Sequence, residues 1–172
     1  MNGTCHKIVG TVAGATTFVF CAKPDSPSAI VTSCVVGGLL GGLGGLIPDL
    51  DKTGSKISKK FPIVSKVTEW TLGHRGMLHT PFFLIIFVSV FYLINKNSMN
   101  DITVIGMLSF FTGAFSHLVL DFLTPAGIMV LYPITKKKFH LFGLKNRFRD
   151  TITILASLLL FVLFITTYSM NV

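Results

Sequence analysis

The stretch SAIVTSCVVGGLLGGLGGLIPDLD, residues 28–51, decides the architecture. Its first 21 residues, Ser28 to Pro48, carry no charge. About 20 apolar residues in a helix cross a hydrocarbon core of ~30 Å, so this run reads as a membrane span. Gly37 and Gly41, Gly38 and Gly42, and Gly41 and Gly45 are each four residues apart. Small residues at that spacing let membrane helices approach closely. The expected use is packing within one bundle, and the same spacing would also serve a homodimer. The run ends on Pro48-Asp49-Leu50-Asp51, two carboxylates in a chain with only 7 acids among 172 residues.

Four further uncharged runs flank it: Ile8 to Ala22 (15 residues), Gly76 to Ile94 (19), Ile102 to Leu120 (19) and Thr151 to Val172 (22). The first becomes a full span if its helix begins near His6 and reaches Lys23. The runs are continuously apolar and do not alternate in ~10-residue units, which favours helices over a barrel. The expected fold is therefore all-α, a polytopic membrane helical bundle of about five transmembrane helices in one integral membrane domain over residues 1–172. No small-x-small cleavage site follows the first run, so it reads as a retained helix and not a signal peptide. Pro125 to Pro133 is apolar but too short to cross, and reads as a re-entrant or interfacial stretch. Residues 55–70 set Ile57, Phe61, Ile63, Val64, Val67 and Trp70 among lysines, the pattern of an amphipathic segment in the headgroup region.

Composition agrees. Charged residues make up 13% of the chain and mean hydropathy is +0.70, whereas a soluble domain carries ~25% charged residues. An ordinary cytosolic globule, a disordered chain and a nucleic-acid module are excluded. Cys5, Cys21 and Cys34 are odd in number and lack CxxC spacing, so neither a disulfide framework nor a thiolate zinc site is implied.

Loop charge orients the bundle. Lys52, Lys56, Lys59, Lys60, Lys66 and Arg75 lie between the second and third runs. Lys136, Lys137, Lys138, Lys145, Arg147 and Arg149 lie between the fourth and fifth. With Lys7 before the first run, 13 of the 15 basic residues fall on one side, leaving Lys23 and Lys96 on the other. The N-terminus is expected in the cytoplasm and the C-terminus outside, in a bacterial cytoplasmic (inner) membrane.

On that topology the rare polar groups gather at one face. His6 begins the first helix, Asp49 and Asp51 end the second, His74 and His79 precede and enter the third, and His117 and Asp121 end the fourth. The two residues of the last pair are four apart and share one helical face. If residues 49–51 are extended, Asp49 and Asp51 point to one side and both reach one ion. His74 and His79 differ by about 140° on a helix of 3.6 residues per turn, which suggests His74 on a loop and His79 in the first helical turn. Imidazole and carboxylate together suit zinc, manganese or iron. Six candidate ligands (His6, Asp49, Asp51, His79, His117 and Asp121) exceed what one zinc takes, which makes two ions plausible. Singly, each group has a plainer reading: an interfacial histidine, a helix terminator, a structural hydrogen bond. As a set on one face they are hard to assign to packing. His140, among Lys136, Lys137, Lys138 and Arg147, reads as a headgroup-facing residue and not a ligand.

The segments His6-Lys7-Ile8-Val9-Gly10, Leu46-Ile47-Pro48-Asp49-Leu50-Asp51 with Ser55, His74-Arg75-Gly76-Met77-Leu78-His79-Thr80, and Ser116-His117-Leu118-Val119-Leu120-Asp121 followed by Thr124-Pro125-Ala126-Gly127 resemble the YdjM-like family of bacterial inner-membrane proteins, regarded as metal-dependent hydrolases. The resemblance covers roughly residues 4–140, with the PDxD, HRGxxH and SHxxxD blocks in order. It implies a hydrolase, whereas composition and spacing imply a metal site at a membrane face.

The expected function is hydrolysis of a phosphoester in a lipid or membrane-associated substrate. One or two divalent ions, zinc or manganese, would acidify a water. His74 would act as general acid, and Arg75 would clamp an anionic oxygen. Membrane lipids are the expected surroundings, drawn by the basic loops, and no nucleic-acid partner is expected. A divalent metal-ion transporter is the alternative. A phosphohistidine phosphatase built on His117 and Asp121 lacks the expected Arg and Ser-Gly-His cradle, and a non-catalytic scaffold must treat the polar groups as accidental.

Overall fold

The protein is described here from a computed structural model covering residues 2–51, 58–59, 62–63, 66, 77–141 and 148–171. The amphipathic reading of residues 55–70 lies mostly outside them, as do His74 and Arg75. Among the described residues, five long α-helices run in chain order: α1 (Gly3–Ala22), α2 (Pro27–Gly44), α3 (Pro81–Asn95), α4 (Asp101–Phe122) and α5 (Phe148–Met170). Two short 3-10 turns, Ile47–Asp51 and Met77–His79, precede the gap in the description and follow it. Among the described residues there is no strand, only one isolated antiparallel bridge between Ile128 and Phe139.

Local chemistry sets the helix starts. Asn2, Ser26, Thr80 and Asn100 occupy the N-caps of α1 to α4, and each accepts a hydrogen bond from a first-turn N–H. Pro27 and Pro81 add the fixed φ that suits the first helical position. At the far end of α1, Lys23 adopts φ 49° and its N–H donates to the Val19 carbonyl, closing the helix.

Among the described residues, four helices, α1, α2, α4 and α5, are long and apolar enough to cross a membrane. The third run departs from expectation. Its α-helix has 15 residues, about 22 Å at 1.5 Å per residue, because Thr80 and Pro81 start it five residues later than the uncharged run begins. Only Leu84 of α3 is buried. The fifth helix buries none of its residues. It is tied to α1 at both ends: Asn2 N–H donates to Asp150 Oδ2 (3.0 Å) and Tyr168 O–H donates to the Pro24 carbonyl (3.0 Å). Its exposed leucines, among them Leu155, Leu159 and Leu160, suit a lipid-facing wall.

The centre of the bundle is α1, α2 and α4. These three meet on glycine. A Cβ added at Gly41 would touch the Gly10 carbonyl and lie 2.6 Å from Gly14 Cα. One added at Gly113 of α4 would strike the Gly41 carbonyl. The small-residue spacing of α2 is thus used within the chain, which lets three backbones pack without side chains between them.

After α4 the chain folds back under the helix end. Thr124 Oγ1 donates to the Asp121 carbonyl (2.8 Å), and the bridge between Ile128 and Phe139 closes the turn at Gly127, where φ is +61°. The stretch from Pro125 to Pro133 is therefore a turn that stays at one end of the bundle. Ile128 joins Leu84, Ala114 and Leu118 in a small apolar core with Phe111 and Phe122 around it.

Candidate metal centre

Successive helices α1 to α4 alternate in direction, so one end of the bundle collects the start of α1, the end of α2, the start of α3 and the end of α4. His6 is the fourth residue of α1; Asp49 lies just past α2, His79 just before α3, and His117 and Asp121 in the closing turns of α4. All five are buried, with His117 at 0%, His6 at 1% and Asp121 at 2% exposure. Burying this many polar groups in a membrane protein is costly unless they serve one another or a ligand.

Asp121 is the hub. One carboxylate oxygen, Oδ1, lies 3.3 Å from His6 Nε2. The other, Oδ2, lies 3.7 Å from both His79 Nε2 and His117 Nε2. Asp49 Oδ1 stands 3.9 Å from His79 Nε2. The rings of His6 and His117 stack at 3.7 Å between centroids, and His79 meets His117 edge-on at 5.2 Å. Two sets bring ligand atoms within 4.8 Å of one another: His6, His117 and Asp121, and Asp49, His79 and His117. These buried groups could hold a metal ion.

One bond prepares His117 for that role. Its Nδ1 lies 2.7 Å from the Gly45 carbonyl oxygen. A carbonyl only accepts, so Nδ1 carries the proton and Nε2 of the neutral ring keeps its lone pair. Nε2 is buried with no hydrogen-bond partner among the described residues, as is Nδ1 of His6. An unprotonated, desolvated imidazole nitrogen held in place by a second hydrogen bond is the arrangement found for metal-ligating histidines. The donor set therefore fits a divalent cation. Because Nδ1 is committed to Gly45, Nε2 is the atom of His117 left to serve a ligand.

The sequence expectations fare unevenly. His6, Asp49, His79, His117 and Asp121 come together. The backbone of Ile47–Asp51 is a 3-10 turn and not the extended segment that was expected there. The Asp51 side chain and all of His74 and Arg75 lie outside the described residues. His79 sits in a 3-10 turn ahead of α3, not in its first α-helical turn. His140 is exposed and outside both metal-capable groups, in keeping with a surface role. Gly45, read from sequence only as a packing residue, proves to be the acceptor that sets the His117 tautomer. No sequence signal marks a backbone carbonyl for such a task.

Thr80 is the other residue the sequence left unassigned. It is fully buried, and its Oγ1 accepts from the Phe83 N–H (3.1 Å) at the residue after His79. Loss of an N-cap costs about 1 kcal/mol. Thr80→Ala is expected to lower thermal stability by that amount and to weaken metal affinity severalfold by loosening His79. Unchanged affinity in a metal titration would show that the cap does not position the site.

Residues 1–171 match the family described as "YdjM inner membrane protein". The uncharacterized protein YvsG of Bacillus subtilis (strain 168) is 36% identical over 137 residues, 78% of this chain and 75% of that one. The inner membrane protein YdjM of Escherichia coli (strain K12) is 30% identical over 107 residues, 62% of this chain and 48% of that one. The uncharacterized protein ORF4 of Methanothermobacter thermautotrophicus is 34% identical over 98 residues, 53% of this chain and 38% of that one. No solved structure matches the chain.

Proposed function

The chain belongs to the YdjM inner membrane protein family, and from that premise we propose that it is a membrane-embedded metal-dependent hydrolase acting on a phosphoester of a lipid or membrane-associated substrate. The observation that carries this reading is the convergence of five buried imidazoles and carboxylates from four helix ends on one region. A divalent ion bound there, zinc or manganese by the chemistry of the donors, would supply Lewis acidity and a water acidified toward neutrality.

The protein groups divide the remaining work. His6, His117 and Asp121 hold the ion, with the Gly45 carbonyl fixing the His117 ring. Asp49 and His79 stand beside them as the second metal-capable carboxylate and imidazole. His74 gives up a proton to the leaving oxygen and Arg75 clamps the anionic group; both roles rest on the sequence. Lys136, Lys137 and Lys138 are exposed on the same end of the bundle, and basic residues near an anionic surface contribute about 1 kcal/mol each to its attraction. We place that end in the cytoplasm and the C-terminus outside, on the loop charge.

A transporter reading is less well supported. Transport sites lie near the bilayer midplane between broken helices, whereas these groups occupy helix ends. Elemental analysis of detergent-purified protein, paired with a phospholipid hydrolysis assay, tests the proposal. The expected result is one or two metal ions per chain, with cleavage lost in chelator and restored by the metal. Absence of bound metal, or cleavage that persists in chelator, would overturn it. Metal uptake into proteoliposomes without cleavage would favour transport, and a C-terminal compartment reporter active in the cytoplasm would reverse the orientation.

A further inference from the structure

The short third helix leaves a space that the proposed site does not use. Near the site, α3 is anchored: Leu84 packs with Ala114 and Leu118. Farther along, the Phe87 ring stacks on Phe110 of α4 (5.9 Å between centroids), with Phe91 one turn beyond it. Between them and Met107 and Phe110 of α4, Leu40 of α2 and Phe18 of α1 lies a cavity of about 410 Å³. That volume falls in the ~300–1,000 Å³ range of small-ligand sites. Gly106, also on its wall, keeps it open, since a Cβ there would meet only the Leu40 Cδ1 atom, at 3.2 Å.

Its position is informative. Phe110 lies seven residues before His117 on the same helix, and Thr103, at the far end of the cavity, lies fourteen before it. At 1.5 Å per residue these are about 10 and 21 Å from the site. The cavity therefore begins inside the hydrocarbon and runs through a depth comparable with one leaflet of a ~30 Å core. Its lining is aliphatic and aromatic save for Thr103. Phe91 and Val36 are each 37% exposed, which opens the cavity sideways toward the membrane. Water gains nothing in such a space, and an empty one forfeits dispersion contacts on every wall. A hydrocarbon chain is the occupant that suits both its chemistry and its depth.

We propose that this groove takes one hydrocarbon tail of a membrane lipid whose phosphate head is presented to the His6–Asp121 cluster. The inference rests on the hydrolase reading for the head and on the groove alone for the tail. It makes the substrate an intact lipid that enters sideways from the leaflet, not a soluble ester arriving from the aqueous side.

The test uses full-length protein in phosphatidylcholine vesicles doped with a phosphatidylglycerol carrying a diazirine at the end of one acyl chain. After photolysis, labelled peptides are mapped by mass spectrometry. The expected result is labelling concentrated on Phe87, Phe91 and Met107, competed by excess unlabelled phosphatidylglycerol. It should fall at least fivefold in Met107→Trp and in Gly106→Leu, both of which fill the groove, with metal content unchanged. Labelling as strong on Leu158 and Leu163 of α5 as in the groove, or insensitive to both substitutions, would overturn the proposal by showing ordinary boundary lipid. Groove labelling without any cleavage would instead sink the hydrolase reading while leaving the tail site standing. Cleavage of a short-chain soluble ester as fast as of the long-chain lipid, unaffected by Met107→Trp, would do the reverse.

Discussion

Asp121→Ala is expected to remove bound metal and to reduce hydrolysis at least ~100-fold, while the protein still inserts and purifies. Loss of a mere outer partner of a metal ligand typically costs 10–100-fold in affinity or activity. Asp121 is more central, since its two oxygens face His6, His79 and His117 at 3.3, 3.7 and 3.7 Å. Without that carboxylate, one of the two metal-capable groups loses its only anionic donor. Asp121→Asn separates charge from shape: it keeps the volume and removes the negative charge, and should fall nearly as far. A ligand present at 100 times its Kd stabilises the folded state by about 2.7 kcal/mol, so the thermal midpoint of the wild type should rise with added metal. In both variants that rise should vanish. Metal content and metal-dependent stabilisation that survive in both would remove Asp121 from the site. His117→Ala provides the parallel case, because His117 belongs to both metal-capable groups.

How much of this was readable beforehand differs by level. The membrane helices were legible because a span declares itself within one segment: length and lack of charge suffice. The gathering of His6, Asp49, His79, His117 and Asp121 at one end followed from alternating helix direction alone. The course of the connections did not follow so directly. Asp49 and Asp51 read as an extended pair, yet the chain leaving α2 tightens into a 3-10 turn. The start of α3 was in fact written in Thr80-Pro81, a capping residue followed by an N1 proline, but the unbroken apolar run from Gly76 concealed it. Contacts that depend on tertiary approach had no local sign. The stacked rings of His6 and His117, and the Gly45 carbonyl that orients His117, exist because glycine-to-glycine packing lets α1, α2 and α4 come together at backbone distance.

That packing carries the second large effect. Gly41→Leu is expected to destabilise the bundle by about 3 kcal/mol or more, the upper end of overpacking costs, and to reduce accumulation of folded protein severely. The reason is the identity of the atoms in the way. At Gly41 even a single Cβ would collide with the Gly10 carbonyl and come within 2.6 Å of Gly14 Cα, both backbone atoms of α1. A flexible side chain can rotate aside, whereas a helix backbone must be displaced as a unit. Displacing α1 also moves His6, which the same helix carries four residues before Gly10, so metal content should fall together with stability. Gly41→Ala should show a milder form of both losses. Gly106→Ala supplies the contrast within the same fold: its added carbon would meet only the Leu40 Cδ1 atom at 3.2 Å, the end of a side chain that can yield, and the helix gains up to ~1 kcal/mol of propensity. Thermal unfolding in detergent, with metal analysis of the same samples, distinguishes the two positions. Equal tolerance at Gly41 and Gly106 would mean that the three-helix glycine contact does not hold the site together.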